Sequence, residues 1–206
     1  MLSKSLATII SWIFHPLFMP LYCLIILFHY DNYFEFSILE EVKAVVFKLV
    51  IATTIIFPIL ATTVFKLSGT IASYSMTTRQ ERRFPFLLTA LFYMFGYYLL
   101  RRLSLPTIFY KIMFGATLSI TIAVIINLFW KISIHLIGIG GIIGSLLAIS
   151  QLLTVDIKIP MIISILIAGI IGSTRLSLDE HSPSQIYAGL ILGFLCEFGM
   201  IWAKHI

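Results

Sequence analysis

Apolar runs of about twenty residues, broken by short polar stretches, repeat along the whole chain. A helix needs ~20 mostly apolar residues to cross the hydrocarbon core of a bilayer. Seven segments meet or approach that length: roughly Leu6–Phe28, Val42–Phe65, Phe84–Leu100, Thr107–Trp130, Ser133–Leu153, Ile159–Gly172 and Ile186–Ala203. The sixth is short, so its helix must continue into Ser173–Leu178 or dip into the bilayer. The expected fold is an all-α integral membrane protein, a bundle of six to seven transmembrane helices, with residues 1–206 forming one polytopic membrane domain.

Composition agrees. With 60% hydrophobic residues, 11% charged residues and a mean hydropathy of +1.05, the chain lies far outside the soluble norm. The net charge of +5 follows no run of Lys or Arg, which argues against nucleic acid and for anionic lipid headgroups or an anionic substrate. Cys23 and Cys196 both sit in apolar runs, and there is no CxxC or HExxH, so neither a disulfide framework nor a metal site is expected. Trp12, His15, Pro16 and Pro20 interrupt the N-terminal apolar run, and no small-residue cleavage site follows, so this segment reads as a retained first span rather than a signal peptide.

Several features inside the spans have structural readings. Pro16 and Pro20 should kink span one, and His15 beside them reads first as a histidine satisfied by a neighbouring helix. The aromatic residues of the acidic loop Tyr30–Glu41 are interfacial anchors. Gly138, Gly140, Gly141 and Gly144 read as a close-packing face between helices, not as a phosphate loop. Glu197, deep in span seven, calls for a basic partner or for the protonated state.

The polar stretches carry the candidate chemistry. Ser173–Gln185 holds Arg175, Asp179, Glu180 and His181 between two apolar segments, and ionisable groups in such places are usually functional. Arg79, Arg82 and Arg83 open span three; three guanidiniums so close repel one another unless an anion or Glu81 sits among them. Lys131–His135 opens span five, with Ser133 as a plausible N-cap. These stretches follow spans two, four and six, so each is two crossings from the next and all three emerge on one membrane face. Arg101-Arg102, on the other face, reads as a plain interfacial pair.

If the three stretches converge, a chemistry follows. Arginine grips phosphate through its planar fork of donors. A neutral imidazole can attack phosphorus, and a second imidazole can protonate the leaving oxygen. That scheme calls for neither metal nor organic cofactor.

These residues resemble the type-2 phosphatidic acid phosphatase superfamily of membrane lipid phosphatases. Its third signature is Ser-Arg, five residues, His, three residues, Asp; here Thr174-Arg175, five residues, His181, three residues, Gln185. Its second is Pro-Ser-Gly-His, against Ile132-Ser133-Ile134-His135. Its first is Lys, six residues, Arg-Pro, of which Arg79, Glu81, Arg82 and Pro85 form a looser version. The resemblance implies a core at about 79–193, with His181 as nucleophile, His135 as general acid, Arg79, Arg82 and Arg175 as phosphate clamp, and Ser133 as an added donor. It further implies a metal-independent phosphatase or phosphotransferase working through a phosphohistidine. The substrate would be phosphatidate, phosphatidylglycerophosphate, a polyprenyl diphosphate or a lipid A phosphate.

Gln185 stands where the family has the Asp that orients the nucleophile, and an amide orients without charge, so a working enzyme would need another carboxylate near His181, with Asp179 or Glu180 the nearest. The alternative is therefore a catalytically impaired relative that binds an anionic headgroup or serves as an assembly subunit. Gln185 has a structural role open to it as well: Ser182-Pro183-Ser184-Gln185 has the pattern of a helix start with a capping box. That start would set His181 ahead of a helix N-terminus, favouring a bound anion and a neutral imidazole. Lys and Arg divide evenly between the two faces. Setting aside the clamp arginines leaves the motif face poorer in positive charge, which favours a site facing outward; with the resemblance, this implies a bacterial inner membrane with the site towards the periplasm.

Overall fold

The computed structural model describes residues 3–30, 38–76, 78–153 and 155–203, and every regular element among them is helical. Among these residues seven helical stretches are long and apolar enough to cross a membrane: Lys4–His29, Glu40–Leu67, Arg79–Arg101, Thr107–Phe129, Ile134–Leu153, Lys158–Ser177 and Pro183–Trp202. The expected spans are there, and the chain is an integral membrane protein by length and composition. Most of the loop expected at Tyr30–Glu41 falls outside the described residues.

Two spans are broken where proline requires it. Span one is α1 (Lys4–Ile13), a short 3₁₀ turn (Pro16–Phe18) and α2 (Met19–Tyr30). His15 takes an extended backbone (φ −65°, ψ 138°) and Pro16 opens the 3₁₀ turn, so the expected kink falls at His15-Pro16. Span two is α3 (Glu40–Ile51), a π turn (Ala52–Ile56) and α4 (Phe57–Leu67). Pro58, just after the π turn, has no N–H to return to the preceding turn. The Thr53 and Thr54 hydroxyls donate there to the Leu49 and Val50 carbonyls, each at 2.8 Å.

The remaining spans are single helices: α5 (Arg79–Arg101), α6 (Thr107–Phe129), α7 (Ile134–Leu153), α8 (Lys158–Ser177) and α9 (Pro183–Trp202). The sixth span reaches membrane length by continuing through Arg175 to Ser177, one of the two solutions open to it.

Helices α7 and α9 form the most intimate pair, and glycine is the reason. A Cβ on Gly140 or Gly144 would strike the Leu190 or Phe194 carbonyl; one on Gly193 would strike the Ile137 carbonyl. Without side chains the backbones touch, as helices with small-residue faces do in membranes. The expected packing role of the Gly138–Gly144 stretch is thus met, and its partner is the Gly189–Gly193 face of α9. This contact carries the Gln185 carbonyl to the Ser133 N–H at 3.4 Å, so the start of α7 lies against the start of α9.

Candidate functional site

The turn between α8 and α9 is defined residue by residue. The Glu180 N–H donates to the Arg175 carbonyl at 3.2 Å and the Asp179 N–H to the Leu176 carbonyl at 3.0 Å, the pair of bonds of a Schellman stop. Asp179 holds the left-handed position (φ 51°) that glycine usually fills. α9 begins two residues later with Ser182 ahead and Pro183 at its first position. Glu180 and His181 are therefore fixed between a helix stop and a helix start.

Glu180 lies at the centre of a cation cluster. Its Oε2 is 3.4 Å from Lys131 Nζ, 3.9 Å from an Arg82 Nη2 and 3.9 Å from Arg175 Nη2. The three cations come from the start of α5, the α6–α7 connection and the end of α8, so the three polar stretches do converge on one end of the bundle. Arg82 is also held by the Met76 carbonyl, which accepts from its Nε at 2.7 Å, and Arg175 donates from Nη1 to Ser11 Oγ at 3.1 Å. Burial, then the Arg82 charge, hold the Lys131 ammonium below its ordinary pKa, while Glu180 pulls it up.

The donors outnumber the acceptors. Arg82 Nη1, Arg175 Nε and Ser133 Oγ are buried without a hydrogen-bond partner; among the described residues only Asn127 Oδ1 shares that condition. Ser133 occupies the position before α7, yet its hydroxyl caps nothing. Buried polar groups are ordinarily paired, and these three donors are not.

His181 is buried, with 8% of its surface exposed. The Gln185 Oε1 atom takes the Ser182 N–H at 3.2 Å and lies 2.9 Å from His181 Nδ1. An atom that accepts from a backbone N–H is the amide oxygen, so Nδ1 carries the ring proton and Nε2 the lone pair. The imidazole pKa is lowered to about 3, first by burial and then by Arg82, Lys131 and Arg175, against a raising effect from Gln185. Burial is thus the leading cause of the lowering expected from the helix start.

The second imidazole is held from span one. The Ser11 carbonyl accepts from His135 Nε2 at 3.3 Å, and the same serine's hydroxyl meets Arg175. The His15 ring stands edge-to-face to His135 with centroids 5.6 Å apart. The hydrogen bond of His15 is local instead, since its Nδ1 accepts from the Leu17 N–H at 3.4 Å and caps the 3₁₀ turn; its contact with a neighbouring helix is this ring contact with a candidate site residue.

Arg79 does not join the cluster. Its Nη1 donates to the Phe129 carbonyl at 2.5 Å, where it closes the end of α6, and Asn127 Nδ2 returns a bond to the Arg79 carbonyl at 3.0 Å. Glu81 does not sit among the arginines either. It accepts from the Ala72 and Thr78 N–H groups at 2.9 and 3.1 Å and caps α5. Lys131 fills the place expected of Arg79, and Glu180 the place expected of Glu81.

A cavity of about 310 Å³ runs beside the cluster from Trp12, His15 and Met76 down to Tyr93, Ser145 and Glu197. Its walls are mostly apolar. Neither His181 nor the three clustered cations line it; Met76, whose carbonyl holds Arg82, and His15, against His135, are the links. At the floor Ser145 Oγ donates to Glu197 Oε2 at 3.2 Å, and among the described residues no Lys, Arg or His nitrogen lies within 4 Å of that carboxyl group. Nor do three His, Cys, Asp or Glu side chains gather as a metal site among the described residues. No protein-family model, curated protein or solved structure matches the chain.

Sequence reasoning did not place Ser11 or Lys131 in the site; it read His15 first as structural and put Glu180 beside His181 rather than among the cations. Lys131 and Glu180 carry a signal, since each adjoins a quoted motif on the convergent face. Ser11 carries none; its bond to Arg175 spans 164 residues.

Proposed function

We propose that the chain is a phosphatase or phosphotransferase acting on a membrane lipid phosphate, with His181 as nucleophile, on a core like that of the type-2 phosphatidic acid phosphatases. One observation carries the reading: an imidazole whose Nδ1 is held by Gln185, leaving the lone pair on Nε2, stands beside three cations, two of which, Arg82 and Arg175, keep a buried donor without a partner. Cationic donors aimed at the non-bridging oxygens lower the barrier to phosphoryl transfer. Nε2 forms the N–P bond as the P–O bond to the lipid breaks, and the departing oxygen takes the Nδ1 proton of His135 in its imidazolium form, while the Nε2–H stays on the Ser11 carbonyl. Water then attacks the phosphohistidine and releases phosphate.

Arg82, Arg175, Lys131 and Ser133 form the cradle in this reading, and the adjoining cavity takes part of the lipid's hydrocarbon. The resemblance supports an inner-membrane enzyme with its site towards the periplasm. The test is phosphate release from a panel of lipid phosphates by detergent-solubilised protein in chelator, wild type beside His181→Ala. Release that His181→Ala abolishes supports the reading; none from any substrate overturns it.

The Gln185 contact favours a second reading, a headgroup-binding protein without turnover, because an amide leaves the imidazolium formed on attack without a counter-charge. It expects phosphate-ester binding that Arg175→Ala weakens, with no release.

A further inference from the structure

The floor of the cavity is shaped around one carboxyl group. Glu197 lies deep in α9 with 4% of its surface exposed. Helices α6 and α7 both carry glycine where they face it. A Cβ on Gly115 would lie 2.6 Å from Glu197 Oε2, and one on Gly141 would lie 3.2 Å from Glu197 Cγ. A larger residue at Gly115 would therefore push the carboxyl group from its berth. Ser145 Oγ serves Oε2, and Oε1 has no partner among the described residues. Oε1 is not sealed away like the orphan donors of the cluster; it opens on the cavity that Glu197 lines. The basic partner that the sequence calls for is missing among the described residues.

We propose that the cavity is a binding site for an amphiphilic amine, whose head pairs with Glu197 at the floor and whose hydrocarbon lies along Pro58, Phe86, Ile112, Ile120 and Ile142. Neither His181 nor the clustered cations line the cavity, so this site does not rest on the phosphatase reading. Hydrocarbon alone would leave Oε1 unpaired in apolar surroundings, which is costly. An alcohol supplies one donor and no charge. An amine supplies both the donors and the charge that Oε1 lacks. A neutral amine takes the proton of a protonated Glu197, and an ammonium pairs with an ionised one. Both routes end in the same ammonium–carboxylate pair, with no net charge left in the bilayer. Such a pair holds only where further hydrogen bonds support it, and Ser145 supplies one to the carboxylate. The volume, about 310 Å³, lies within the range of small-molecule sites.

The experiment measures binding of octylamine and octanol by calorimetry on the full chain, at neutral pH in an uncharged detergent. Wild type, Glu197→Gln and Glu197→Met are compared; methionine fills the berth without polar atoms, should the amide not fit it. The hydrocarbon and the cavity wall contribute alike to both ligands, and loss to the detergent contributes alike to all three proteins. The change in the amine-to-alcohol affinity ratio between proteins therefore isolates the head against residue 197. The expected result is a ratio that falls about tenfold or more in both variants, because octylamine binds less tightly while octanol binds as before. An unchanged ratio, or an equal loss of both ligands, overturns the proposal and leaves Glu197 a packing residue. So does a wild type that binds neither. No cluster residue is altered, so failure here leaves the phosphatase reading standing.

Discussion

The Gln185 side-chain oxygen serves His181 and the start of α9 at once, lying 2.9 Å from His181 Nδ1 and accepting the Ser182 N–H at 3.2 Å. One side chain therefore fixes a helix terminus and the tautomer of the candidate nucleophile. A contact to His181 and a helix cap, set side by side as alternatives in the sequence, are made by the same atom.

Replacing that amide by a carboxylate separates orientation from charge. Gln185→Glu retains an acceptor for both N–H groups and adds the counter-charge that an imidazolium formed on attack lacks. Phosphate release should rise, by up to about 10⁴-fold, the loss that a serine-protease triad shows for the reverse exchange. Gln185→Ala should slow release and cost about 1 kcal/mol through the lost cap. Phosphate assays and thermal unfolding in detergent measure the two effects independently.

The arginines divide by position. Arg79→Ala should leave inorganic phosphate affinity unchanged, because its guanidinium serves the Phe129 carbonyl. Arg175→Lys should weaken it by about 10- to 100-fold, since an ammonium cannot meet Ser11 and the cradle together as the planar fork does. Equal losses in the two variants would contradict the clamp drawn from the geometry.

The spans were legible because apolar runs of membrane length leave the backbone no choice but helix. The convergence of three polar stretches followed from counting crossings. Side-chain assignments were less legible. Arg79 and Arg82 look equivalent as letters, yet the capping box at Thr78 sets the phase of α5 so that Arg82 is buried and Arg79 exposed. Glu180 next to His181 could be read as a stand-in for the missing acid, but the left-handed turn at Asp179 sends it to the cations. Ser11 and His15 enter through the packing of α1 on α8 and the break at Pro16, neither of which has a local pattern to read.

Stability should depend on pH through His181. Its pKa falls from the ordinary 6.5 to about 3 in the folded chain, so the folded state binds fewer protons than the unfolded one across that window. The penalty is absent above about pH 6.5 and grows as the pH falls towards 3. The melting temperature in detergent should therefore drop between about pH 7 and 4, and His181→Gln should flatten that part of the drop. An identical profile in the variant would show that the ring is not held neutral.

The glycine contact between α7 and α9 links packing to chemistry. A methyl group on Gly193 would run into the Ile137 carbonyl and lie 2.9 Å from the Gly141 nitrogen, both of them backbone. Neither can turn aside as a flexible side chain would, so the helices must separate. Overpacking of this kind costs about 1–3 kcal/mol. The separation also reaches the site, because the same helix pair holds Ser133 against Gln185. Gly193→Ala should thus lower both the melting temperature and the phosphate affinity. Gly169 in α8 is the matched control: a Cβ there meets nothing within 4 Å, and alanine is the better helix former. Gly169→Ala should leave affinity unchanged and stability equal or higher. If Gly193→Ala loses stability but binds phosphate as wild type does, the two helices carry the fold without positioning the site.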